Sequence, residues 1–192
     1  MARLPLVLAS RSPQRTAILT QLGLAHVVVE PDYDEPDLRV APRDLVATHA
    51  REKARSITPA LGTGPVLGVD TAVLLDDGVT LLGKPASESD AHLMLAALAG
   101  RTHVVISGLA LIAGERSIEG VAETAVTFRE LDEPSRLAYV AAGEWRGRAG
   151  GYAIQGLGAA LVERVDGCYG NVVGLPIALL IRSLRDLGYE PW

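Results

Sequence analysis

GPVLGVDTAVLLDDG, Gly64 to Gly78, sets one acid in the middle of an otherwise apolar run. Val66, Gly68, Ala72 and Leu74 alternate with Leu67, Val69, Val73 and Leu75, so both faces of the predicted strand are mainly apolar. A strand half in water would alternate with polar residues; one covered on both sides reads this way. The run ends in DDG and is followed by VTLLGKP, a hairpin signal that adds an antiparallel neighbour.

Working outward, strands and helices interleave. LPLVLAS (Leu4 to Ser10) is a short buried strand, and SPQRTAILTQLG is a helix with Ser12 as cap, Pro13 in the first turn and Gly23 as terminator. HVVVE leads into the acidic loop PDYDEPD, then the helix PRDLVATHAREKARSI. SESDAHLMLAALAG is a third helix, with Ser87 and Asp90 at capping-box spacing. Strands follow in THVVISGLALIAG and VAETAVTFREL, then a helix near EPSRLAYVAAG, a strand inside the Gly-rich RGRAGGYAIQGLGAALVERVDG, and a closing helix in LPIALLIRSLRDLG. The expected fold class is α/β with a mixed sheet flanked by helices. At 192 residues, with no Pro/Ser linker, the chain suits a single domain over 1–192 that has room for two lobes.

Asp70 is the exception to its strand. Gly68 and Ala72 share its face, and such small neighbours leave space for a ligand or a water. Burying an unpaired ionised carboxylate costs several kcal/mol, so Asp70 is expected to be paired, held protonated, or open to a pocket. Each state suits a general base; an acid bonded to a neighbouring loop is the alternative.

Several cations call for partners. Arg15 stands in the first turn of a helix, where partial positive charge already gathers, and Arg11 adds to the mismatch. An anion held there with Ser10 and Ser12 would reverse the sign, whereas an exposed turn would let the arginines reach water. Lys53 falls among Val46, Ala50 and Ile57 on the apolar stripe of its helix, so it either reaches out to water or meets negative charge in a cleft. Lys84 is the seventh residue of GVTLLGKP, which fits a phosphate loop until Pro85 replaces the required hydroxyl. It is a candidate phosphate cation or an exposed hairpin lysine. Asp32, Asp34, Glu35 and Asp37 form a solvated acidic run, or one that could hold Mg2+ or Mn2+ on a polyphosphate.

Net charge is −5 and the pI about 5.4, so no overall positive field would recruit a nucleic acid polymer or an anionic membrane. The single Cys168 rules out an internal disulfide and a cysteine zinc site, as suits a reducing cytoplasm. His26, His49, His92 and His103 lack metal-ligand spacing and read as ordinary histidines. The apolar run near the start is too short for a leader or a membrane span. A soluble, cytoplasmic protein is expected.

Taken together, LVLASRSPQR, Asp34–Glu35, EKA around Lys53, GVDTAV around Asp70, LGKP around Lys84, LAGRTHVVISGLAL, GGYAIQGLGAALVERVDG and NVVGLP resemble, in order and over nearly the whole chain, the Maf family of nucleoside triphosphate pyrophosphatases, also described as septum-formation inhibitors. The resemblance implies a curved mixed sheet with a deep central cleft, related in fold to inosine triphosphate pyrophosphatases, and often a homodimer. It implies hydrolysis between the α- and β-phosphates of a nucleoside triphosphate with a divalent metal, Mg2+ or Mn2+. Carried over by position, Asp70 is the proton acceptor; Ser10, Arg15, Lys53 and Lys84 bind substrate; Glu35 helps place metal. For this to work, Arg15, Lys53 and Lys84 must surround a hollow bordered by Asp70.

Thr71 and Gln155 resemble the branch acting on dTTP and UTP. Gln14 stands where that branch usually has Arg, which bears on base preference, and Arg148 stands where Lys is usual. Removal of non-standard nucleotides and cell-division arrest are the implied roles. A nucleotide-binding division regulator with little catalysis, a phosphatase releasing orthophosphate, and a Maf enzyme for another, modified nucleotide are the alternatives.

Overall fold

The structure, a computed structural model, describes residues 4–57 and 64–192. In chain order its main elements are β1 (Leu6–Ala9), α1 (Pro13–Gln21), β2 (His26–Val29), α2 (Pro42–Arg55), β3 (Val66–Leu74), β4 (Leu81–Leu82) and α3 (Glu88–Leu98). They continue with β5 (Thr102–Ala113), β6 (Arg116–Phe128), α4 (Glu133–Ala142), β7 (Val162–Asp166), α5 (Tyr169–Val173) and α6 (Ile177–Asp186). The strands form one mixed sheet in the order β2-β1-β3-β5-β6-β7, with β4 beside β3. β1 runs parallel to β2 and β3, β4 antiparallel to β3, and β7 antiparallel to β6. The α/β class with a mixed sheet and flanking helices is therefore as expected. No helix among the described residues is long and apolar enough to cross a membrane.

The chain forms two compact units: Met1–Asp70, Ser107–Ala122 and Gly174–Trp192 in the first, Thr71–Ile106 and Glu123–Val173 in the second. In the first, β1 and the opening of β3 are buried, as strands covered on both faces must be. Val7, Ala9, Ala50, Ala54, Val66 and Ala110 pack together there. Three of these come from β1 and β3 and two from α2, and most are small, so the helix lies close on the sheet.

Two glycines make that approach extreme. A Cβ on Gly68 would lie 2.0 Å from the Ala50 carbonyl oxygen, and one on Gly108 would lie 2.1 Å from that of Val46. Val46 and Ala50 are one helical turn apart, so successive carbonyls of α2 rest on β3 and β5 where a side chain is missing. The space beside Asp70 that its small neighbour seemed to offer a ligand is, at Gly68, occupied by the α2 backbone. This corrects the expectation, and it explains how α2 comes to deliver a side chain to Asp70.

The second unit is built on Phe128, Leu95, Leu98, Val105 and Trp145, with Tyr152 and Ile154 from the Gly-rich segment. His103 Nε2 is hydrogen-bonded to the Tyr152 hydroxyl at 2.8 Å, and both rings meet Phe128 edge-on. Burial pushes the His103 imidazole down to about 4 and the Tyr152 phenol up. Ser87 caps α3 as expected, accepting from the Asp90 backbone N–H at 3.1 Å. Ser12 does not cap α1: its hydroxyl donates instead to Gln14 Oε1 at 3.0 Å. Asp77 accepts from Val79 and Thr80, which closes the β3–β4 turn.

Candidate active site

Lys53 meets negative charge. Its Nζ lies 2.7 Å from Asp70 Oδ1 and 2.6 Å from Glu35 Oε1. The stripe that carries Val46 and Ala50 down onto the glycines carries Lys53 onto the same strand, where Asp70 sits two residues beyond Gly68 and so on the same face. The ammonium and the Asp70 carboxylate have only 8% and 12% of their side chains exposed, while Glu35 keeps 50%. Of the states open to a buried acid, Asp70 adopts the paired one, with Lys53 as its partner.

Arg15 joins the group from α1. Its Nη1 donates to Ser10 Oγ at 3.1 Å and its Nε to the Gly174 carbonyl at 2.8 Å. Burial draws the guanidinium pKa down, while the charges of Asp70 and Glu35 oppose that fall. Ser10, 3% exposed at the end of β1, also accepts from the Ser12 N–H at 3.1 Å. With both lone pairs engaged, its hydroxyl proton is left to donate. Arg11 turns away to Glu30 at 2.6 Å on an exposed surface, so the two arginines do not share one anion site.

The first unit therefore gathers Ser10, Arg15, Glu35, Lys53 and Asp70 from β1, α1, the loop before α2, α2 and β3. Two cations and two acids lie together. Glu35 and Asp70 reach one ammonium, so a compact cation already holds the place between two carboxylates. No group of three or more His, Cys, Asp or Glu that could hold a metal occurs among the described residues. A divalent ion drawn to Glu35 would take further oxygens from a bound phosphate and from water, which is how Mg2+ is usually held. Glu35, with 50% of its side chain exposed, is the more open of the two acids.

The other predicted residues are placed as follows. Gln14 is half-buried in the first turn of α1 and accepts from Ser12. Thr71 follows Asp70 on β3 and opens the second unit. Lys84 is exposed just past β4, and Gln155 is exposed at the start of a 3-10 turn, Gly156–Leu161; both belong to the second unit. Two residues were overlooked in the sequence. His49, 5% exposed on α2, has its Nδ1 2.9 Å from the Tyr33 hydroxyl. The signal was there: His49 lies four positions before Lys53 and next to Ala50 on the buried face.

Similar proteins agree with the resemblance noted in the sequence. The family model for Maf-like protein matches residues 5–187. A protein of Moorella thermoacetica is 45% identical over 190 residues, covering 97% of both chains, and one of Symbiobacterium thermophilum is 41% identical over 185 residues, covering 96% of this chain and 94% of its own. A third, from Pyrococcus furiosus, is 39% identical over 188 residues and 96% of each chain; all three are named dTTP/UTP pyrophosphatase. The solved structure of the Staphylococcus aureus Ham1 protein overlaps 65% of this chain and 71% of its own at 11% identity and a TM-score of 0.45. A family match that runs through almost every element, and relatives aligned nearly end to end, have one conclusion: the chain belongs to the Maf-like protein family.

Proposed function

We propose that this protein is a nucleoside triphosphate pyrophosphatase, acting in the cytoplasm on free dTTP and UTP to give the monophosphate and pyrophosphate. The observation that carries it is the Lys53 ammonium bound to Asp70 and Glu35 beside Arg15 and Ser10. The names of the relatives supply the substrate.

In the reaction, water attacks the α-phosphorus, the bond from that phosphorus to the α–β bridging oxygen breaks, and the water proton passes to Asp70. Asp70 is the general base, a role that contributes about 100- to 10,000-fold. In the resting protein Lys53 pairs with both acids. When phosphate oxygens arrive, the ammonium has a third anionic partner and can turn to it, which frees Asp70 Oδ1 for water. Arg15 and the Ser10 hydroxyl bind phosphate oxygens at the start of α1, and Lys84 is a further phosphate cation. A divalent cation, Mg2+ or Mn2+, held with the help of Glu35, would neutralise charge developing on the leaving pyrophosphate. Thr71 and Gln155 select the base, and Gln14, already engaged by Ser12, adjusts that choice.

Chromatographic separation of products after incubation with dTTP, UTP, dCTP or ATP and Mg2+ or Mn2+ tests the proposal. Monophosphate plus pyrophosphate from dTTP and UTP is expected, with the rate lowered at least 100-fold in Asp70→Asn. Diphosphate plus orthophosphate would make the protein a phosphatase. Binding without turnover would leave a nucleotide-binding regulator.

A further inference from the structure

Residues 30–41, between β2 and α2, contain neither helix nor strand, yet Glu35 in their midst must hold a defined position against Lys53. Its tie to Lys53 is an ion pair with a half-exposed partner, and pairs of that kind are worth about 1 kcal/mol or less. A second contact joins the loop to α2. Tyr33, two residues earlier, is hydrogen-bonded to His49 Nδ1 at 2.9 Å, with the rings tilted by 54° at 5.8 Å.

The two contacts match in spacing. Tyr33 and Glu35 are two positions apart, and the α2 residues they meet, four positions apart, rise by about 6 Å, one helical turn. Tyr33 and Glu35 thus fall on one side of the loop, opposite His49 and Lys53 on one side of α2. His49 is buried on α2, so it offers an anchor within a regular element.

We propose that Tyr33 and His49 form a positioning clasp that seats the acidic loop on α2 and thereby holds Glu35 at Lys53, so that the metal-nucleotide meets a preformed site. The role given to Glu35 rests on the pyrophosphatase proposal; the clasp itself does not. In this role Tyr33 and His49 act through Glu35 and not on the substrate. Loss of the bond leaves the chemistry at Asp70 intact and makes each binding event close the loop first, so the penalty falls on KM rather than kcat.

Tyr33→Phe removes one oxygen and keeps the ring. Two measurements on the full chain decide the matter: amide hydrogen exchange of residues 30–40 followed by mass spectrometry, and steady-state kinetics with dTTP at saturating Mg2+. In Tyr33→Phe, exchange in the loop and KM should each rise roughly three- to tenfold, the value of one hydrogen bond, with kcat within about twofold. His49→Leu should behave alike, whereas His49→Gln, which can still bond the phenol, should return KM toward wild type. Unchanged exchange in Tyr33→Phe overturns the clasp whether or not the wild type turns over. Faster exchange with an unchanged KM also overturns it, since the loop would then not serve the site. A wild type that yields no pyrophosphate, with faster exchange in Tyr33→Phe, removes the activity and keeps the clasp.

Discussion

Removing Lys53 should destabilise the protein more than removing its buried partner, because the two changes leave different charges behind. In Lys53→Met the Asp70 carboxylate keeps its place with 12% of its side chain exposed, loses an ammonium 2.7 Å away, and faces Glu35 without that cation between them. Breaking a buried pair so that one charge is stranded costs about 3–5 kcal/mol, and Lys53→Met belongs in that range. In Asp70→Asn the ammonium retains Glu35 at 2.6 Å, and an amide oxygen can still accept from it. The expected cost is about 1–2 kcal/mol. The double variant leaves neither member of the pair charged and should lie within about 1 kcal/mol of Asp70→Asn. The two single costs therefore should not add; the cycle should show coupling of roughly 3–5 kcal/mol, the Lys53→Met cost itself. Equilibrium urea unfolding of the four proteins at pH 7.5 measures it, with the slopes compared to check that unfolding stays two-state. A buried pair is little screened, so the pattern should persist at 1 M NaCl. A Lys53→Met cost below about 1 kcal/mol, or simple additivity, would refute the claim that Lys53 permits the burial of Asp70.

Gly68→Ala would put a methyl 2.0 Å from the Ala50 carbonyl, which α2 can relieve only by moving off β3. A loss of about 3 kcal/mol is expected by urea unfolding, whereas Gly83→Ala, with nothing within 4 Å of its new methyl, should be near neutral; equal effects would count against the close seat of the helix. His103 has a folded pKa of about 4 against 6.5 for an ordinary histidine. The unfolded chain therefore takes up its proton first, so the contribution of neutral His103 is fully present above pH 6.5 and is lost as pH falls toward 4, by about 3 kcal/mol in all. Urea unfolding at a series of pH values should show this slope in the wild type and a smaller one in His103→Asn; identical slopes would show that the buried imidazole is not its source.

Much of the fold was legible because it is decided locally. The doubly apolar pattern around Asp70 described a strand covered on both faces, and Val66 to Asp70 are buried. Ser87, Pro13 and the DDG turn marked element ends through chemistry that acts over a few residues. α5 went unnoticed, since five residues are too few to display a helical period. Ser12 was misjudged as a cap because nothing in its immediate spacing reveals that Gln14 competes for its hydroxyl.

The site was legible in its membership and not in its bonding. Periodicity alone brought Lys53 onto the buried stripe of α2 and an acid into a core strand, and so foretold that each needed a partner. That they need each other, across 17 positions of sequence, depended on α2 settling over Gly68 and Gly108. The same packing turned the room beside Asp70 into a seat for the helix and enlisted Tyr33 and His49 to hold the acidic loop. Side-chain patterns declare which residues must leave water, a property each residue carries with it. Which of them then touch is set by how closely the backbones approach, and only the assembled chain has that information.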